Sequence, residues 1–227
     1  MSTPDSGTED SKRRPGPKIN LIYAHNAVQL YDNGYSLLPL TDKQPRIACW
    51  QNLFCNMSRP SLEAIKSEHS VAYRGGIERN GIGLACYNGL TVVDVDSAEP
   101  EIVERLARII SQINTVPACV GQRGFKAFFR AEDGLNHQDW NIASKATGGV
   151  IEVLAYHRQA VVPPTVHPNT GAPYRWRDDN CTLFNTPLDR LPIITAAQIG
   201  MIRSEFGRRS KPTSRPSTRS GARNASA

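Results

Sequence analysis

The sequence predicts an α+β fold, a mixed and mostly antiparallel sheet flanked by helices. Two observations predict it. Helical and strand-like segments alternate between about Asn20 and Phe206, as one folded unit with a buried core requires. At the centre of that order lies a hairpin signal, two apolar runs joined at Asn88-Gly89, which fits an antiparallel sheet better than a doubly wound parallel one.

Asn26 to Gly34 reads as a helix stopped by its glycine, and Ser36 to Leu40 as a short strand. Ser58-Arg-Pro60 opens a second helix running toward His69. After the two runs around Asn88-Gly89, Ile102, Val103, Leu106, Ile109, Ile110 and Ile113 recur at helical spacing, with Pro100 suited to the first turn. Strands are expected at Ala118 to Val120, Lys126 to Arg130, Val150 to Ala155 and Ala160 to Val162. A last helix spans Thr195 to Glu205, with Thr195 able to cap it.

Composition narrows the class. The 227 residues are 39% hydrophobic, enough for one sizeable domain or two small ones. No apolar run approaches the roughly 20 residues of a membrane span, and the first 18 residues hold no apolar stretch like that of a secretory signal. The five cysteines, Cys49, Cys55, Cys86, Cys119 and Cys181, include no Cys-x-x-Cys pair, which argues against a disulfide framework and a closed zinc site. The expectation is a reduced, cytoplasmic chain that makes no use of a membrane.

The formal charge of +6 is unevenly spread: residues 1–18 carry +1, residues 203–227 carry +6, and everything between carries −1. Residues 1–19 and 207–227 are too poor in apolar side chains to bury a core and are expected to be disordered. The basic tail reads either as a solubilising end, or a linker to a segment cut away, or as an electrostatic arm for nucleic acid.

The most informative stretch is Leu90-Thr-Val-Val-Asp-Val-Asp96. Alternation along a strand puts Leu90, Val92, Asp94 and Asp96 on one face, with the two carboxylates about 7 Å apart. Two like charges beside apolar neighbours are costly unless a cation neutralises them. Mg²⁺ or Mn²⁺ takes hard oxygen ligands and leaves positions for substrate phosphates. Glu152, in Gly148-Gly-Val-Ile-Glu-Val-Leu154, also interrupts an apolar strand and is the candidate third acid. The plain alternative is a strand-end pair that meets solvent or caps the next helix.

A second constellation, Val162-Pro-Pro-Thr-Val-His-Pro-Asn-Thr-Gly-Ala-Pro-Tyr-Arg-Trp176, reads as a rigid loop and hairpin presenting His167, Tyr174 and Trp176. Aromatic rings beside Arg175 and Arg177 suit either base stacking and phosphate contact or hairpin packing.

Taken in order, these segments resemble the catalytic domain of bifunctional DNA primase-polymerases, the Prim-Pol branch of the archaeo-eukaryotic primase superfamily, common in phages and plasmids. The likeness runs from about Ala27 to Trp176. It rests on Gly34-Tyr-Ser-Leu-Leu-Pro-Leu40 with Lys43-Gln-Pro-Arg46 and Trp50, on Asn80-Gly-Ile-Gly-Leu-Ala85 before Val92-Val-Asp-Val-Asp96, and on Glu152 followed by Pro163-Pro-Thr-Val-His-Pro168 and Tyr174-Arg-Trp176. The resemblance implies that Asp94, Asp96 and Glu152 are catalytic metal ligands, with Glu152 where the family normally has Asp. In Gly121-Gln-Arg-Gly-Phe-Lys-Ala-Phe-Phe-Arg130, Lys126 stands at or near the position of the family's triphosphate-contacting His. Lysine can serve there as a phosphate point charge, with Arg123 and His167 assisting.

The implied function is template-directed nucleotidyl transfer from nucleoside triphosphates on single-stranded DNA in DNA replication. No P-loop signature occurs, so a helicase, where needed, is expected to be separate. The rival reading is a non-catalytic nucleic-acid-binding or replication-initiation module with the same fold, favoured by Lys126 for His and Glu152 for Asp. A metal-dependent enzyme acting on nucleotide sugars through Asp-x-Asp is a third reading, against which the Pro-Pro-Thr-Val-His-Pro segment speaks.

Overall fold

The computed structural model describes residues 22–54, 61, 80–132, 141–142 and 150–206. The helix expected from Ser58 and both expected disordered ends lie outside these residues. The described elements are helices α1 (Ile22–Asp32), α2 (Pro100–Ile113) and α3 (Ala196–Phe206), and strands β1 (Ser36–Thr41), β2 (Gln44–Pro45), β3 (Asn80–Ala85), β4 (Leu90–Asp96), β5 (Ala118–Val120), β6 (Phe125–Ala131), β7 (Asn141–Ile142), β8 (Val150–Leu154), β9 (Gln159–Val162), β10 (Arg175–Trp176) and β11 (Ile193–Ile194). Short 3₁₀ turns lie at Trp50–Leu53 and Leu188–Arg190. Among the described residues no helix is long and apolar enough to cross a membrane.

The fold is α+β, as expected, but its strands form two sheets. The smaller has the order β2-β1-β3-β9; the larger runs β10-β5-β6-β4-β8-β7, with β11 added beside β6. Every pairing is antiparallel except β11 with β6, which is parallel.

The central hairpin is the expectation that fails. The turn itself is present: Asn88 and Gly89 have φ of 54° and 88°, and Leu90 N–H donates to the Tyr87 carbonyl at 3.1 Å. Yet β3 and β4 do not pair. The two edges of β3 are taken by β1 and β9, and those of β4 by β6 and β8. Cys86 and Tyr87, both buried, carry the chain from one sheet to the other. The α+β class therefore stands for a different reason, namely antiparallel pairing of strands distant in sequence.

Alternation along β4 decides which layer each side chain enters. Val93 and Val95 face α2 and α3 and join a core with Leu106, Ile110, Ile199 and Ile202. The capping expected of α3 is present: Gln198 N–H donates to Thr195 Oγ1 at 3.2 Å, and Thr195 N–H donates to Gln198 Oε1 at 2.8 Å. Leu90 and Val92 face the other way, into a core shared with β3, β9 and α1 through Ile82, Leu84, Val162 and Tyr23. Two residues further along that same face come Asp94 and then Asp96. The apolar layer between the sheets thus gives way, within one strand, to charge.

Candidate active site

Register brings the sequence candidates together. Asp94 sits directly opposite Lys126 of β6 on one side and Glu152 of β8 on the other. Directly opposed residues share a sheet face, so all three side chains rise from the face that also carries Asp96. Arg123 is on the turn between β5 and β6, and His167 on the loop after β9. All six line one cavity of about 480 Å³ between the sheets.

The acids do not stand as bare charges. Lys126 Nζ lies 3.1 Å from Asp94 Oδ1 and 3.0 Å from Oδ2, and both side chains are less than one-fifth exposed. Asp96 and Arg123, each about half exposed, form a two-pronged pair, Nε to Oδ1 at 2.9 Å and a terminal nitrogen to Oδ2 at 3.0 Å. Such forked geometry is what guanidinium offers and ammonium does not. Burial pushes the Asp94 carboxyl above the usual carboxylate range, with Lys126 opposing. Burial acts to lower the Lys126 ammonium, but Asp94, with Cys119 and Tyr174 adding, outweighs it and holds the group above its ordinary value. Lys126 therefore faces the cavity as a cation at neutral pH. Its Nζ also stands 5.6 Å from the Tyr174 ring centroid, within cation–π range.

His167 is almost wholly buried. Burial and then the cations Lys43 and Lys126 push its pKa down, only partly offset by Asp96, so the ring is neutral at physiological pH. Its Nδ1 accepts the Asn169 N–H at 3.3 Å, which leaves Nε2 to carry the proton and donate. The loop bearing it is fixed to the smaller sheet by buried Thr165, whose Oγ1 accepts the Ile82 N–H at 2.8 Å.

Trp176 is not presented to a ligand. It packs on Phe128 and Phe184 at centroid distances of 5.8 and 6.2 Å, and its strand pairs with β5. Tyr174 lines the cavity but is buried, and Arg177 lies over the Phe125 ring at 5.1 Å. For Trp176 the hairpin-packing reading holds, because β10 pairs into the larger sheet and turns that ring inward. Lys43 and Trp50, which entered the sequence analysis only through the family likeness, also line the cavity, and so do His157 and Arg158, which it did not single out. With them, four Lys and Arg side chains face three carboxylates, so the cavity is close to neutral and slightly cationic.

The three carboxylates offer only hard oxygen donors, the chemistry that Mg²⁺ or Mn²⁺ selects, and in that respect they fit such an ion. As they stand, Asp94 and Asp96 are held by Lys126 and Arg123, and among the described residues no group of three metal-ligating side chains is drawn together.

A family model for the N-terminal domain of bifunctional DNA primase/polymerases matches residues 27–193. The chain belongs to this family. The Prim-Pol match begins in α1 and ends in β11, beyond the Ala27 to Trp176 likeness visible in the motifs, and it contains every cavity residue named above. Prim-Pol domains form a primase/polymerase family of nucleotidyltransferase type, whose substrates are DNA and nucleotides. A comparison with curated proteins finds no match.

Proposed function

We propose that the chain is a catalytic primase-polymerase domain performing metal-dependent, template-directed nucleotidyl transfer on single-stranded DNA. The observation that carries this reading is the register: Glu152 and Lys126 flank Asp94, with Asp96 two residues on, all facing one cavity. Asp94, Asp96 and Glu152 would hold Mg²⁺ or Mn²⁺. Bound there, such an ion would supply activation of the attacking 3′-hydroxyl and stabilisation of the pyrophosphate leaving group. The chain's own part is positioning and charge. Lys126 and Arg123 exchange their carboxylate partners for triphosphate oxygens, which frees Asp94 and Asp96 as they do so. His167, neutral, donates from Nε2 to the nucleotide. Primer synthesis and extension on single-stranded DNA with Mg²⁺ and with Mn²⁺ is the direct test.

The pairing of Asp94 and Asp96 with side-chain cations adds to the two departures from the family pattern, Lys126 and Glu152, in favouring a non-catalytic binding module of the same fold. Lys126 separates the two readings. A lysine stays protonated well past neutrality, whereas an unperturbed imidazole loses its charge near pH 6.5. In a polymerase, Lys126→His, which restores the residue the family normally has there, is expected to retain part of the activity and to lose more of it as rising pH takes the ring's charge away, while the parent stays active through that range. A binding module shows neither metal-dependent nucleotide binding nor this pH profile.

The basic tail carries six Lys and Arg residues between 207 and 227. Its proposed role is sequence-independent attachment to DNA. Deleting residues 207–227 is expected to flatten the plot of log affinity against log salt by about 0.7 for each single-strand phosphate that the tail had neutralised. An unchanged slope makes the tail a solubilising end.

A further inference from the structure

Besides the carboxylates and cations of the two sheets, the cavity wall includes the turn between β8 and β9, which carries His157 and Arg158. In it Arg158 N–H donates to the Ala155 carbonyl at 2.9 Å. His157, at the tip, has φ of 67°, a left-handed conformation that costs a non-glycine residue energy and that surrounding structure must enforce. The enforcement is visible. Its imidazole stacks on the Tyr156 ring at a centroid distance of 4.0 Å and an interplanar angle of 27°. Tyr156 meets Tyr87 edge-on at 4.9 Å, and Tyr87 meets Phe54 at 5.0 Å. The Tyr87 hydroxyl donates to the Gln51 carbonyl at 3.0 Å, which ties the row to the 3₁₀ turn bearing Trp50.

A row of rings, buried at Phe54 and Tyr87 and half-buried at Tyr156, therefore ends in the exposed His157 at the wall of the cavity that holds Lys126. Glu152 and His157 are five positions apart and line the same cavity as Lys126 and Arg123. Phosphate has no use for an aromatic face, but every nucleobase has a π surface to lay on one.

We infer that His157 is the stacking platform for the nucleobase of the incoming nucleoside triphosphate, held in a strained turn by Tyr156 and Tyr87. The inference rests on the proposal that Lys126 and Arg123 take the triphosphate. Stacking recognises any base, as a template-directed enzyme requires, so His157 contributes affinity and leaves base choice to the template.

The test measures, by calorimetry in Mg²⁺, the binding of dATP, dCTP and inorganic tripolyphosphate to the full chain and to His157→Asn and His157→Gly. Both replacements accept positive φ and remove the ring. Expected is a loss of about tenfold in affinity for dATP and dCTP with tripolyphosphate binding unchanged. Parent-like dATP affinity in both variants overturns the platform and leaves the triphosphate proposal standing. An equal loss for tripolyphosphate also overturns it, since the turn would then serve phosphate or the fold. A parent chain that binds none of the three overturns the triphosphate proposal and this one with it.

Discussion

Asp94→Ala is expected to abolish primer extension and also to destabilise the protein. The first effect follows from its central place between Lys126 and Glu152. The second follows from what is left behind. From sequence alone, removing one of several clustered acids looks harmless, because it relieves repulsion between like charges. In the folded chain Asp94 is instead the partner of Lys126, and both are less than one-fifth exposed. Taking the carboxylate away leaves an ammonium with its desolvation uncompensated, for which about 3 kcal/mol is a reasonable cost. Denaturant unfolding should register that loss in Asp94→Ala and a smaller one in Asp94→Asn, whose amide oxygen still accepts from Lys126. The double variant Asp94→Ala/Lys126→Ala should recover most of the stability and none of the activity. Full stability in Asp94→Ala would mean that the pair contributes nothing, and parent-level extension would remove Asp94 from the active site.

Among the described glycines, Gly124→Ala should be the most damaging replacement. Gly124 has φ of 68° in the turn that carries Arg123 into the cavity. A Cβ there would lie 1.9 Å from the Val95 carbonyl oxygen and 2.9 Å from its carbon. Both are backbone atoms of the strand that bears Asp94 and Asp96, so no side-chain rotation relieves the clash. Either the turn lifts away, breaking the pairing of Phe125 with Val95, or β4 shifts and carries the carboxylates with it. A cost above about 4 kcal/mol is expected, in the range reserved for steric failure in packed backbone. The variant should be found largely in inclusion bodies or melt far below the parent, and whatever folds should bind nucleotide poorly because Arg123 is displaced. A parent-like melting temperature would show that the turn is not as tightly seated as these distances require.

How much of this was legible in the sequence depends on whether a feature is local. The helix over Pro100–Ile113 announces itself by a repeat of apolar residues a few positions apart, and the alternation that puts Asp94 and Asp96 on one face is a property of any strand. Glu152 was recognisable as a charge out of place in an apolar run. Its position opposite Asp94 was not, because register between strands distant in sequence leaves no local mark. The same limit explains the failed hairpin. Asn88-Gly89 encodes its own turn geometry faithfully, yet nothing in those two residues says which strands will flank β3 and β4. Trp176 looked available because it sits among arginines, and only the pairing of β10 with β5 turns it inward. His157 carried no signal at all. It belongs to a short turn whose importance comes from Tyr87, far away in the chain.

That dependence on distant pairing has a kinetic side. Asp94 and Glu152 are 58 positions apart, and Ile82 and Val162, partners in the smaller sheet, are 80 apart. Closing loops of that size must precede any gain from the contacts, which places such topologies among slow folders, in the range of milliseconds to seconds. During synthesis β4 emerges well before β8, so its acidic face has no Glu152 beside it until the chain has grown past residue 154. The nascent protein therefore spends a period with β4 lacking its β8 neighbour and open to other partners. A chaperone acting in that interval should therefore raise the yield of folded protein, and slower translation across it should lower the yield.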